Sequence, residues 1–184
     1  MCIRDRLNYA EHVIEQALAN NREPNIPDEP HIGYRANNAL IAHNQPIVKP
    51  SDSSEEFQYE GELVAIIGKE AKNISEEEAL DFVFGYTIGN DVSERKWQRD
   101  DRTMWRAKNT DTFKPMGPWI ETDVNLDNLI TTVRLNNIET ISFSTNSMIF
   151  GVARFISAMS RYLTLVPGDM IWMGTEGHSK NMKV

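Results

Sequence analysis

The chain has 184 residues, 40% of them hydrophobic and 25% charged, a balance that suits one globular domain with a substantial buried core. Its formal net charge of −8 argues against general nucleic-acid binding or attraction to an anionic membrane, since either needs a basic footprint. A single cysteine, Cys2, excludes an internal disulfide and fits a reducing compartment, and no apolar run approaches the ~20 residues that span a bilayer.

The first six residues, MCIRDR, are charged and lack the apolar h-region of a signal peptide, so the cytoplasm is the expected location. They read as a leader set apart from a domain over 7–184. Asn8 to Asn20 reads as a helix with Val13, Ala17 and Leu18 on one stripe. His12 and Glu15 lie one turn apart on it and can meet. A histidine with a carboxylate partner can serve as a general base, because imidazole titrates near neutrality and the carboxylate fixes its tautomer. The plainer reading of the pair is a surface ion pair. Asn21 to Glu29 holds two prolines and no periodicity, which makes it a loop, either connector or lid. Between His31 and Pro50 the apolar runs ALIA and PIV suit short strands.

Ser75 and Glu78 have capping-box spacing ahead of a short helix. Phe84 to Asn90 is a second apolar segment, and it ends in Asp91. The charge-rich stretch Val92 to Arg106 would by itself be a solvated helix face. If it is helical, Arg95 and Gln98 share a face while Lys96 and Arg99 point elsewhere. Pro115, Gly117 and Pro118 mark the turn into a strand WIET. Thr131 to Ser144 alternates around Asn136-Asn137 as a hairpin would. Ser147 is the expected cap of a helix with Ile149, Val152, Phe155, Ile156, Met159 and Leu163 on its apolar positions. Pro167-Gly168-Asp169 turns into a final strand, MIWMGT.

The stretch with most chemistry is Tyr59 to Phe113. In YEGELVAIIG two glutamates lead into an apolar, partly β-branched run, which favours a strand and sets Glu60 and Glu62 side by side. Gly61 between them leaves room for a close approach. Two ionised carboxylates so placed repel unless a cation sits between them. Asp91 can supply a third oxygen, and an all-carboxylate set suits a hard cation: Mg²⁺, Mn²⁺ or Ca²⁺. On spacing alone such a pair reads first as a solvated strand face. The apolar run before Asp91 and the dense polar cluster after it tip the reading towards metal.

Those segments, YEGELVAIIG, GYTIGNDVSER, RAKNTDTFKPMGPWI and GDMIWMGTEG, together with LNYAEHVIE, resemble the fumarylacetoacetate hydrolase family in order and spacing. The likeness is to its acylpyruvate hydrolase and 2-oxo-hepta-ene-dioate isomerase branch. It implies a mixed α/β, mainly β fold, the family's β-roll with peripheral helices, whose closing strands lie beyond Val184. It implies metal ligation by Glu60, Glu62 and Asp91, an active-site lysine at Lys108, and substrate contacts from Arg95, Gln98, Thr112 and Thr175. Arg35 stands where the family often carries a basic residue and can bind an anionic group. His12 and Glu15 match the pair that some members use to activate water. The implied activity is metal-dependent C–C hydrolysis of a small 2,4-dioxo acid, with decarboxylation or keto–enol isomerisation as alternatives on the same site. An inactive metal-binding fragment is the alternative of another class. The resemblance also implies a homodimer.

Overall fold

The computed structural model describes residues 1–5 and 7–176. A seven-stranded mixed sheet forms its centre, in the order β2-β1-β11-β5-β6-β8-β3. The middle strand of the antiparallel run is β5 (Gly61–Ile67), flanked by β6 (Val83–Asn90) and β11 (Met170–Trp172). Alternate residues of β5 enter two different clusters. Leu63, Ala65 and Ile67 pack under α4 (Val152–Ser160) with Phe155, Ile156 and Met159. Val64 and Ile66 pack on the other side with Cys2 and Trp172. A strand covered on both faces has no need of polar alternation, which is why LVAII is continuous.

Residues 2–5 fall within the stretch expected as a leader, and the structure takes them into the sheet. Cys2–Asp5 form β1, inserted between β2 (Ile32–Arg35) and β11, antiparallel to the first and parallel to the second. Cys2 and Ile3 are fully buried. The charged flanks hid an apolar pair that the sheet takes into its core.

The far edge carries β8 (Lys114–Glu121), antiparallel to β6, and β3 (Leu40–Ala42), parallel to β8. β3 is the ALIA strand; PIV is irregular and forms none. Two small sheets complete the architecture. β4 (Phe57–Gln58) pairs with β7 (Ser93–Glu94), and β9 (Ile130–Leu135) pairs with β10 (Ile138–Ser144). Asn136 and Asn137 have φ of 52° and 64°, the left-handed pair that a two-residue hairpin turn demands.

The helices are short and peripheral: α1 (Ala10–Ala19), α2 (Arg95–Asp100), α3 (Trp105–Asn109) and α4. On α1, Val13 is buried but Leu18 is exposed, so the stripe is narrower than expected. Ser147 does not cap α4. It ends a 3-10 turn, and Gly151 precedes the helix. Ser75 and Glu78 do form their reciprocal box, at the head of a 3-10 turn. No helix among the described residues is long and apolar enough to cross a membrane.

Candidate active site

Strand pairing builds the carboxylate cluster. Register sets Gly61 opposite Asn90 and Glu62 opposite Gly89, so Glu60 and Asp91 meet where the two strands part. Asp91 N donates to Glu60 O at 2.8 Å, and Glu60 N donates to the Asn90 side chain at 3.0 Å. Glu60, Glu62 and Asp91 are all buried, and one oxygen from each lies within 4.8 Å of the others. Gly61 does permit a close approach, but by the β9–β10 hairpin: a Cβ there would lie 2.6 Å from Val133 Cγ2.

Buried carboxylates this close need countercharge. Lys108, on α3, reaches Glu60 Oε2 at 2.8 Å and Asp91 Oδ2 at 2.9 Å. Arg95 reaches Glu60 Oε1 at 2.5 Å, and also binds Gln58 and Gln98. Arg35, whose side chain is almost wholly buried, lies 3.7 Å from Asp91. Lys114 carries no signal in the sequence; its Nζ lies 2.5 Å from Asp91 Oδ1, and the residue is 0% exposed. Among the described residues, Arg35, Arg95, Lys108 and Lys114 thus gather around the carboxylate cluster. Asp111, three residues after Lys108, accepts from Asn38.

These groups floor and wall a cleft of about 750 Å³ lined by His12, Arg35, Glu60, Arg95, Gln98 and Lys108, among others. Glu62 and Asp91 lie beneath its surface. The structure therefore gathers most of the expected substrate contacts on one opening. His12 projects into it from α1, and its Nε2 lies 2.8 Å from the Gln16 side-chain amide, one turn on. Glu15 is half-buried and does not line the cleft.

Thr112 and Thr175 stand elsewhere. Thr112, with φ of 74°, accepts from Val48 N and so ties down the loop before β4. Thr175 is buried, and its Oγ1 has no hydrogen-bond partner among the described residues. Its neighbour Gly174 donates its N–H to Glu62 Oε2 at 2.9 Å, which joins the segment after β11 to the cluster. Asn8 fixes that segment, donating to Met173 O and Phe150 O.

The field of the cluster extends outward. Burial pushes the Cys2 thiol up to about 12; Lys114 and Arg35 oppose the rise and Asp91 adds to it. The phenol of Tyr9 is raised too, by burial first and then by Glu62 and Glu176.

The whole chain, residues 1–184, matches the family model described as fumarylacetoacetate (FAA) hydrolase C-terminal. The chain belongs to the fumarylacetoacetate hydrolase family. It is 41% identical over 182 residues to a fumarylacetoacetate hydrolase domain-containing protein 2 homolog of Dictyostelium discoideum, covering 92% of this chain and 57% of that relative. Its fold matches a 5-carboxymethyl-2-hydroxymuconate delta-isomerase from Mycobacterium smegmatis with TM-score 0.87 and 35% identity, covering 98% and 69% of the two chains. It also matches a Pseudomonas aeruginosa fumarylpyruvate hydrolase in complex with Mn²⁺ and pyruvate, with TM-score 0.83 and 25% identity, covering 99% and 79%. Family relatives further include a hydrolase, an oxaloacetate tautomerase and a bifunctional isomerase/decarboxylase. The family is thus one of enzymes acting on small oxo acids, and the curved strand-dominated fold is theirs.

The donor set fits a divalent metal. Three buried carboxylates offer oxygen only, the chemistry of a hard cation.

Proposed function

We propose that this site is a divalent-metal-dependent hydrolase centre that cleaves the C–C bond of a small 2,4-dioxo, acylpyruvate-like acid. The observation that carries the reading is the convergence of His12, Arg35, Arg95, Gln98 and Lys108 on one cleft above the carboxylates. Mg²⁺, Mn²⁺ or Ca²⁺ held by Glu60, Glu62 and Asp91 would polarise the substrate's 2-oxo and carboxylate oxygens. Mn²⁺ with pyruvate in the Pseudomonas relative supports that assignment.

The chain's own residues supply the rest. Arg35 and Arg95 attract the substrate carboxylate, and Gln98 orients it by hydrogen bonds. His12 takes a proton from water as the water oxygen bonds to the 4-oxo carbon. The bond from that carbon to C3 then breaks, its electron pair passing into the pyruvate enolate. The Lys108 ammonium is placed to match the negative charge that develops there. Return of the proton from His12 to C3 releases pyruvate and an acid.

One observation favours a second reading. His12 Nε2 lies 2.8 Å from the Gln16 side-chain amide, and the relatives include an oxaloacetate tautomerase and a bifunctional isomerase/decarboxylase. Decarboxylation or keto–enol isomerisation in the same cleft needs no attacking water. Product analysis by NMR with an acylpyruvate and Mn²⁺ separates the two. Hydrolysis should appear in the wild type and fall about 10²- to 10⁴-fold in His12→Ala. Exchange at C3 without cleavage would replace the hydrolase reading by the isomerase. Metal binding without any turnover would leave a metal-binding piece, since the chain spans 57% of the Dictyostelium relative.

We also propose that the protein is a homodimer and works in the cytoplasm. Phe84, Ile88 and Trp119 on β6 and β8 are each more than half exposed, an unusual outlay of large apolar side chains. Light scattering should give twice the chain mass, and Trp119→Lys should reduce it to one. A wild-type monomer at micromolar concentration would refute the dimer.

A further inference from the structure

Lys114 is a cation of the cluster for which the proposed reaction has no use. It does not line the cleft, and it is enclosed beneath Asp91. Its Nζ lies 2.5 Å from Asp91 Oδ1 and donates to the main-chain oxygens of Lys108 and Phe113, with Val92 O at 3.5 Å. An enclosed ammonium is costly unless fully partnered. Its charge therefore calls for a role beyond filling space.

Asp91 divides its two oxygens between two lysines, Oδ2 facing Lys108 and Oδ1 facing Lys114. The lysines differ in place: Lys108 lines the cleft, whereas Lys114 lies beneath it and donates to the main-chain oxygens of Lys108 and Phe113.

We propose that Lys114 tunes the metal centre: held against Asp91 Oδ1, its fixed charge weakens the hold of the trio on a divalent cation. This rests on the reading that the trio binds metal. The same charge steadies the carboxylates when no metal is bound, so the fold does not depend on the ion and the ion stays exchangeable.

Calorimetric titration of Mn²⁺ into the 184-residue chain and into Lys114→Met, a near-isosteric neutral variant, tests the idea. A unit charge one carboxylate's width from a divalent ion is worth about tenfold in affinity even when screened as in water. Lys114→Met should therefore bind Mn²⁺ about tenfold more tightly or better, while its metal-free melting midpoint falls. A purely structural lysine would lower the midpoint without tightening the ion. Unchanged or weaker Mn²⁺ binding overturns the proposal. If the variant does not melt cooperatively without metal, Mn²⁺ should restore the transition. A chain that stays unfolded at saturating Mn²⁺ also overturns it. A wild type that binds no Mn²⁺ is a different failure, and it removes the metal reading itself.

Discussion

Glu176 follows Thr175 at the end of the described chain, and its carboxyl pKa is raised first by burial, then by Glu11 and Glu15 on α1. The native state therefore keeps this proton more readily than the unfolded chain does. Its contribution favours folding below the ordinary carboxylate value and is lost as pH rises through the raised folded value. Glu176→Gln should accordingly raise the melting midpoint at pH 7, by about 1–2 °C once solvent screening is allowed for. The gain should vanish near pH 4, and a gain independent of pH would contradict the charge argument. At this scale the sequence is uneven. Glu60, Glu62 and Asp91 are legible because alternation and an apolar run place them at paired strand ends. Lys114 is not, because its burial depends on β3 docking beside β8, with Leu40 opposite it, a pairing between segments more than seventy positions apart. Thr112 sits in a matching motif, yet its left-handed backbone turns it to Val48 rather than to the cleft.

Elements were readable where the signal is local. The Asn136-Asn137 hairpin and the Ser75–Glu78 box need only neighbouring residues, and both form. β1 failed to show because four residues carry no periodicity; its strand character comes from its neighbours β2 and β11 on either side. Two glycines in the central hairpin illustrate how such neighbours constrain a strand. A Cβ on Gly89 would lie 2.3 Å from the Trp172 ring, which is fully buried and cannot retreat. A Cβ on Gly61 would meet one methyl of Val133 on a partly exposed hairpin, 2.6 Å away, and that hairpin can shift. Gly89→Ala should cost about 1–3 kcal/mol or more in urea unfolding and alter the Trp172 fluorescence. Gly61→Ala should cost clearly less. Equal losses would mean that the hairpin is held as rigidly as the core.

Across the whole molecule, an acidic chain of net charge −8 concentrates Lys108, Lys114, Arg35 and Arg95 around one buried trio of carboxylates. Internal cations offset the trio, so the chain should melt cooperatively in EDTA. Metal then adds stability by linkage: at ~100 times its dissociation constant it contributes about 2.7 kcal/mol, or about 5–10 °C for a chain of this size. The informative variant is Glu62→Gln. Removing Glu60 strips a partner from both Arg95 and Lys108, so a lower midpoint would say little about metal. Glu62 Oε2 accepts from Gly174 N, and a glutamine oxygen can accept the same bond. Glu62→Gln should therefore lose most of the rise on adding Mn²⁺, measured against its own midpoint in EDTA. A variant that keeps the full rise would take Glu62 out of the ligand set, and a wild type indifferent to Mn²⁺ would mean that lysine and arginine alone neutralise these carboxylates.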